Sequence, residues 1–174
     1  KERLLKAIHG EETDRPPCIC PGGMMNMITT NLMDLSGISW PQAHTDANLM
    51  AKLALAGFEN HCFENVGVPF CMTVETECMG AQVTMGTKFY EPHVTGYAIS
   101  SVDEWKQLKV PDWKNSRAAV VVEAIHILKS QNPEIPIVGN LTGPISTASS
   151  LMEPVDFYKQ LRKKNKEAHK FLSF

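Results

Sequence analysis

The sequence predicts an α/β chain with parallel strands, and two observations carry that expectation. Short apolar stretches, such as 135–139, alternate along the chain with amphipathic helices, the order produced by right-handed crossovers over a parallel sheet. The 174 residues hold three or four such units, whereas a closed (β/α)8 barrel takes about 250 residues. The expected architecture is therefore about half of a TIM barrel. Residues 1–174 form a single partial domain, because no linker, repeat or low-complexity tract interrupts them.

Each element follows from local signals. Leu4, Leu5 and Ile8 share a helix face over 2–9, which Gly10 closes as a left-handed cap. Pro16 and Pro17 push the chain extended, so 18–20 read as a short strand ahead of Pro21-Gly22-Gly23. Met24, Met25, Ile28, Leu32 and Leu35 then repeat at helical spacing and predict an amphipathic helix ended by Gly37. Asp46 is a good N-cap for a helix carrying Leu49, Met50, Leu53 and Leu55, with Gly57 just past its end. Residues 58–63 read as a second strand and 64–69 as the loop after it. A short helix is expected over 74–79, a loosely alternating β excursion over 82–98, and a helical turn from Ser101. Ala119, Val122, Ile125 and Leu128 stripe a strong helix over 116–129. Residues 135–139 form a short apolar strand, Thr142-Gly143-Pro144 turn into a helix over 147–152, and Pro154 suits the first turn of a last helix.

Composition narrows the function classes. With 43% hydrophobic and 21% charged residues the chain reads as globular, and a formal charge of −2 argues against a nucleic-acid or anionic-membrane partner held by bulk charge. No apolar run reaches the roughly 18 residues that cross a bilayer. Five cysteines are an odd count and read as reduced thiols in a cytoplasmic protein. The chain opens at Lys1 and stops at Phe174 within helical patterns, with Ala168, Phe171 and Leu172 on one apolar face. That face calls for a cover. A second chain in a homo-oligomer would supply it, but the favoured expectation is that these residues are a piece of something longer.

Candidate site residues sit in the loops after the expected strands, where α/β folds place function. The first loop holds Gly22, Gly23, Met24 and Asn26: bare backbone there lets a ligand approach closely, or simply makes a tight turn. In the second, Glu64 and Asn65 offer an acid and an amide that either orient a polar substrate and move a proton, or serve as partners for backbone amides. Glu75 and Glu77 follow, the latter readable as a solvated charge. Asn140 and Thr142 end the strand over 135–139 with two hydrogen-bonding side chains. No cysteine spacing matches a metal site, so the thiols are expected to be core or pocket residues, and no catalytic residue or metal ligand is assigned.

Three blocks then resemble a known family. LLKAIHGEETDRPP (4–17), GFENHCFENVGVPFCMTVETECMGAQV (57–83) and GNLTGPISTASSLM (139–152) are similar, in this order, to the opening, second-strand and G-P-x-S/T-x-A-S segments of the uroporphyrinogen decarboxylase superfamily. The resemblance covers essentially the whole chain and implies the N-terminal half of that barrel. It also implies one of two branches. Decarboxylases carry arginines after the first strand, for porphyrinogen carboxylates, and an aspartate after the second. Here Cys20 to Asn26 contain no arginine, and Asn65 holds the aspartate position. The run Pro21-Gly22-Gly23-Met24-Met25-Asn26 instead resembles the methyltransferase branch. That implies methyl transfer from methylcobalamin on a corrinoid protein to a thiol such as coenzyme M, with a zinc ion holding the acceptor thiolate. The family's zinc ligands are a His-x-Cys pair and a distant cysteine. No His-x-Cys occurs here, so zinc is expected by resemblance with its ligands absent from this chain. A decarboxylase-type lyase with replaced arginines, and a non-catalytic fragment that needs its missing half, are the alternatives.

Overall fold

The computed structural model describes residues 1–26 and 28–174, with the side chain of Met24 outside the description. The chain divides into two compact units. The first comprises Lys1–Cys71, Thr87–Glu91 and Val120–Asn140; the second comprises Met72–Gly86, Pro92–Ala119 and Leu141–Phe174.

In the first unit α1 spans Glu2–Ile8 and a 3-10 turn spans Gly23–Met25. Helix α2 (Thr30–Ser36) starts at Thr29, whose side chain accepts from the Leu32 amide, and α3 (Ala47–Glu59) starts at Asp46, which accepts from Leu49. Strands β1 (Val66–Val68) and β4 (Ile137–Gly139) pair in parallel, with Val66 opposite Ile137 and Val68 opposite Gly139. Helix α5 (Arg117–Gln131) leads into β4, and its residues from Val120 onward belong to this unit. Leu53, Val66, Val68, Phe70 and Leu128 are fully buried here. The His44 ring lies 5.1 Å from Trp40 and 6.1 Å, edge-on, from Phe70.

In the second unit α4 spans Val74–Cys78, and β2 (Gln82–Thr84) pairs antiparallel with β3 (His93–Gly96). A 3-10 segment at Val102–Gln107 and helices α6 (Pro144–Leu151), α7 (Pro154–Lys163) and α8 (Asn165–Leu172) follow. Leu151, Met152, Phe157, Ala168 and Phe171 close its core with Ile99, Val102 and Leu108.

The structure corrects several expectations, each for a local reason. Residues 58–63 are not a strand: α3 continues through Gly57 to Glu59. Gly57 does not end the helix, and a Cβ there would stand 3.7 Å from Leu32 Cδ2, an ordinary contact. The strand lies instead within the expected loop, at Val66–Val68, all buried. Residues 18–23 do run extended beside β1, from the Glu64 amide on Cys18 O to the Gly23 amide on Pro69 O. They carry no strand ladder, because the Asn65 side chain takes both backbone groups of Cys20. The helix expected from Met24 to Leu35 is split. The Asn26 side chain bonds the backbone of Gly23, Phe70 and Ile28, and helix resumes only at the Thr29 cap.

Candidate functional site

In the first unit the carboxyl ends of three extended segments meet: residues 18–23, β1 and β4. The Gly23 amide donates to Pro69 O and the Asn140 amide to Val68 O, both at 2.8 Å. Asn140 Nδ2 donates to Pro21 O at 3.3 Å, and Asn26 Nδ2 reaches Phe70 O at 2.8 Å as well as Gly23 O. Gly22 holds φ 81° and ψ −167°, a region open essentially to glycine alone. A Cβ on it would stand 3.1 Å from Asn140 Cβ and 3.3 Å from Val68 N. Gly22, Gly23 and Asn26 are buried. The structure thus brings Gly22, Gly23, Asn26 and Asn140 together at one end of the parallel segments. Gly22 is used to let chain pass chain, and Gly23 follows it at φ 59°. The expectation for the Met24 side chain lies outside the described residues. Thr142 belongs to the second unit, where its amide donates to Glu75 Oε1 at 3.1 Å and its hydroxyl to Met72 O at 3.4 Å.

Glu64 and Asn65 stand before β1, at its amino end, and not in a loop after the strand. Glu64 is bridged by Arg3 Nη1 at 2.6 Å and by Arg15, and Arg3 also grips Asp14 through Nε at 2.7 Å and Nη2 at 2.8 Å. Asn65 is 1% exposed. Its Oδ1 accepts from Cys20 N at 2.6 Å, and its Nδ2 donates to Cys20 O at 2.7 Å and Val66 O at 3.0 Å. Every polar atom of that amide is engaged with backbone.

The Arg3 hydrogen bonds hold Asp14 down to about 2 and lower Glu64 below the ordinary carboxylate range. Carboxylates depressed in the folded state stabilise it fully above their unfolded values near 4, and that contribution drains as pH falls toward 2. An acid titration followed by circular dichroism is therefore expected to show a loss of stability between about pH 5 and pH 2.5 that Arg3→Met makes shallower. Equal acid sensitivity in the two proteins would count against these pairs as its source.

Two charged groups were not legible as site members. Glu91, in the first unit, shares a hydrogen bond with Asn26, and burial pushes its carboxyl up against that bond. Its sequence signal is only a glutamate before a proline in Phe89-Tyr90-Glu91-Pro92. Arg117, in the second unit, is 8% exposed and directs Nε to Glu77 Oε2 at 2.6 Å and Nη2 to Thr73 Oγ1 at 2.8 Å. Glu77 is thus half-buried in an ion pair, and not a solvated charge. Glu77→Ala is expected to cost about 2 kcal/mol, because it removes the anion facing a buried guanidinium while the partial exposure of Glu77 moderates the loss. Denaturant unfolding measures it, and a change below about 0.5 kcal/mol would deny the pair a structural role.

Cys20 is buried, its Sγ 3.3 Å from Asn26 O, and burial pushes its thiol up. Cys71 is also buried, whereas Cys18 and Cys62 are exposed and line a surface cavity with Arg3, Arg15 and Glu64, in keeping with thiols of core or pocket. Among the described residues no group of three or more His, Cys, Asp or Glu side chains is placed to hold a metal ion. These residues do not fit the zinc that the resemblance implies, and no step is assigned to it. No described helix is long and apolar enough to cross a membrane.

Comparison with known proteins places this geometry in context. The family model described as uroporphyrinogen decarboxylase (URO-D) matches residues 1–174. The methylcobamide:CoM methyltransferase MtaA of Methanosarcina barkeri is 37% identical over 165 residues, 94% of this chain and 48% of that protein. MtbA of Methanosarcina acetivorans, which carries the same enzyme name, is 36% identical over 152 residues, 87% and 44% of the two chains. A solved structure titled methyltransferase from Methanosarcina mazei superposes with a TM-score of 0.89 at 39% identity, covering 99% of this chain and 51% of that one. The expected fold class, half of a TIM barrel with parallel strands and flanking helices, holds through this match. The chain spans about half the length of the relatives it matches.

Proposed function

Because the chain belongs to the uroporphyrinogen decarboxylase family, we propose that the protein is a cytoplasmic methyltransferase. It moves a methyl group from a methyl-corrinoid, presented as methylcobalamin by a corrinoid protein, to a thiol such as coenzyme M. One observation carries the reading: 37% identity, over 94% of the chain, to a relative named for methylcobamide:CoM methyl transfer. The run from Cys20 to Asn26 supports it, since it offers no guanidinium to a substrate with many carboxylates. The acceptor would react as its thiolate, its proton released to solvent: a carbon–sulfur bond would form at the methyl carbon as the cobalt–carbon bond breaks, its electron pair staying with the corrinoid.

The residues of this chain position and do not react. Gly22 and Gly23 turn the backbone beneath the substrate, with Met24 beside them. Asn26 and Asn140 fix the ends of the loops. Glu64 and Asn65 act at one remove, by holding residues 18–23 against β1.

The test is a methyl-transfer assay on the whole protein with methylcobalamin and a panel of thiols, following loss of the methyl-cobalt absorbance and appearance of the methyl thioether. A parallel incubation with uroporphyrinogen monitors carbon dioxide. Thioether formation without decarboxylation is expected. Carbon dioxide release, or inertness toward every thiol, would overturn the proposal.

A further inference from the structure

We infer that the second unit carries a binding site for a small organic cation of the alkylammonium class, a function separate from methyl transfer. A cavity of about 350 Å³ opens there, lined by Glu75, Trp113, Thr142, Thr147, Leu151 and Phe171 among others. That volume lies in the range of small-molecule sites. Its chemistry is one-sided, since among the described residues no Lys, Arg or His lines it. Glu75 Oε1 accepts the Thr142 amide at 3.1 Å, and Oε2 has no hydrogen-bond partner among the described residues. The Thr142 hydroxyl donates to Met72 O and the Thr147 hydroxyl to Thr142 O, each at 3.4 Å, so both oxygens remain to the cavity as acceptors. Trp113, 48% exposed, leaves its ring accessible.

A carboxylate, two acceptor oxygens and an aromatic ring on an apolar wall repel anions. A neutral apolar guest would strip water from Glu75 and return nothing. An organic monocation satisfies each group at once: its charge faces Glu75 and the indole, and its alkyl groups meet Met79 and Pro144 on the accessible apolar wall.

Calorimetric titration of the whole protein with tetramethylammonium tests this, with tert-butanol as a neutral guest of similar size. Saturable binding of tetramethylammonium is expected, weakened about five-fold or more by Glu75→Gln and about three-fold by Trp113→Leu, with no saturable binding of tert-butanol. Gln at 75 can still accept the Thr142 amide, so its unfolding midpoint is expected to match the parent protein. Trp113 is half-exposed and gives a second variant that folds independently of that bond. Undiminished affinity in Glu75→Gln, tert-butanol bound as tightly as the cation, or no saturable binding of the cation would each overturn the proposal.

Discussion

Asn65→Asp is expected to destabilise the protein by about 4 kcal/mol, although it exchanges one atom for another of nearly equal size. The amide works as a two-sided plug: Oδ1 receives the Cys20 amide, and Nδ2 supplies hydrogen to Cys20 O and Val66 O at 2.7 and 3.0 Å. A carboxylate keeps the first bond. It then turns an oxygen and a charge toward two carbonyl oxygens, at a position 1% exposed. Asn65→Ala loses the bonds without adding charge and is expected to cost less, about 2 kcal/mol. Equilibrium unfolding in urea distinguishes the two, and the order Asp worse than Ala is the diagnostic result. If Asp were as stable as the parent, the plug would be wrong and Asn65 would have to face open solvent or a ligand.

This position also shows where sequence reading reached and where it stopped. The Asp46 cap, the β excursion around 82–96, the strand at 137–139 and Pro154 at the start of α7 were legible because each rests on a signal within a few residues. The sequence places Gly57 just past a helix end and Gly67 in the loop over 64–69, yet Gly57 lies inside α3 and Gly67 inside β1. A glycine that makes room for a distant segment looks, in one dimension, identical to a glycine that turns the chain. That single ambiguity moved the strand by several residues and put Glu64 and Asn65 after it instead of before. The pairs Arg3 with Glu64, 61 residues apart, and Arg117 with Glu77, 40 apart, have no local signature because topology creates them. Glu91 reaches Asn26 in the same way.

Gly67→Ala is the sharper test of how the parallel segments are assembled. A Cβ at 67 would lie 2.8 Å from Gly22 N, 2.9 Å from Cys20 O and 3.0 Å from Gly22 Cα. All three are backbone atoms, so no side chain can swing aside. Residues 20–22 cannot retreat freely either, because Asn140 Nδ2 holds Pro21 O and the Asn65 amide holds Cys20. The methyl group must therefore push 18–23 off β1, breaking the plug and displacing the Gly22-Gly23 turn together. We expect a loss of about 3 kcal/mol in unfolding free energy. Methyl transfer should fall further than the folded fraction alone explains, since the displaced turn carries the proposed positioning residues. Gly57→Ala is the control: its Cβ meets only Leu32 Cδ2 at 3.7 Å, ordinary contact within a helix. That substitution is expected to be neutral or slightly stabilising. Equal stability of the two alanine variants would show that 18–23 does not pack on β1 as described, and the assembly of the candidate site would fall with it.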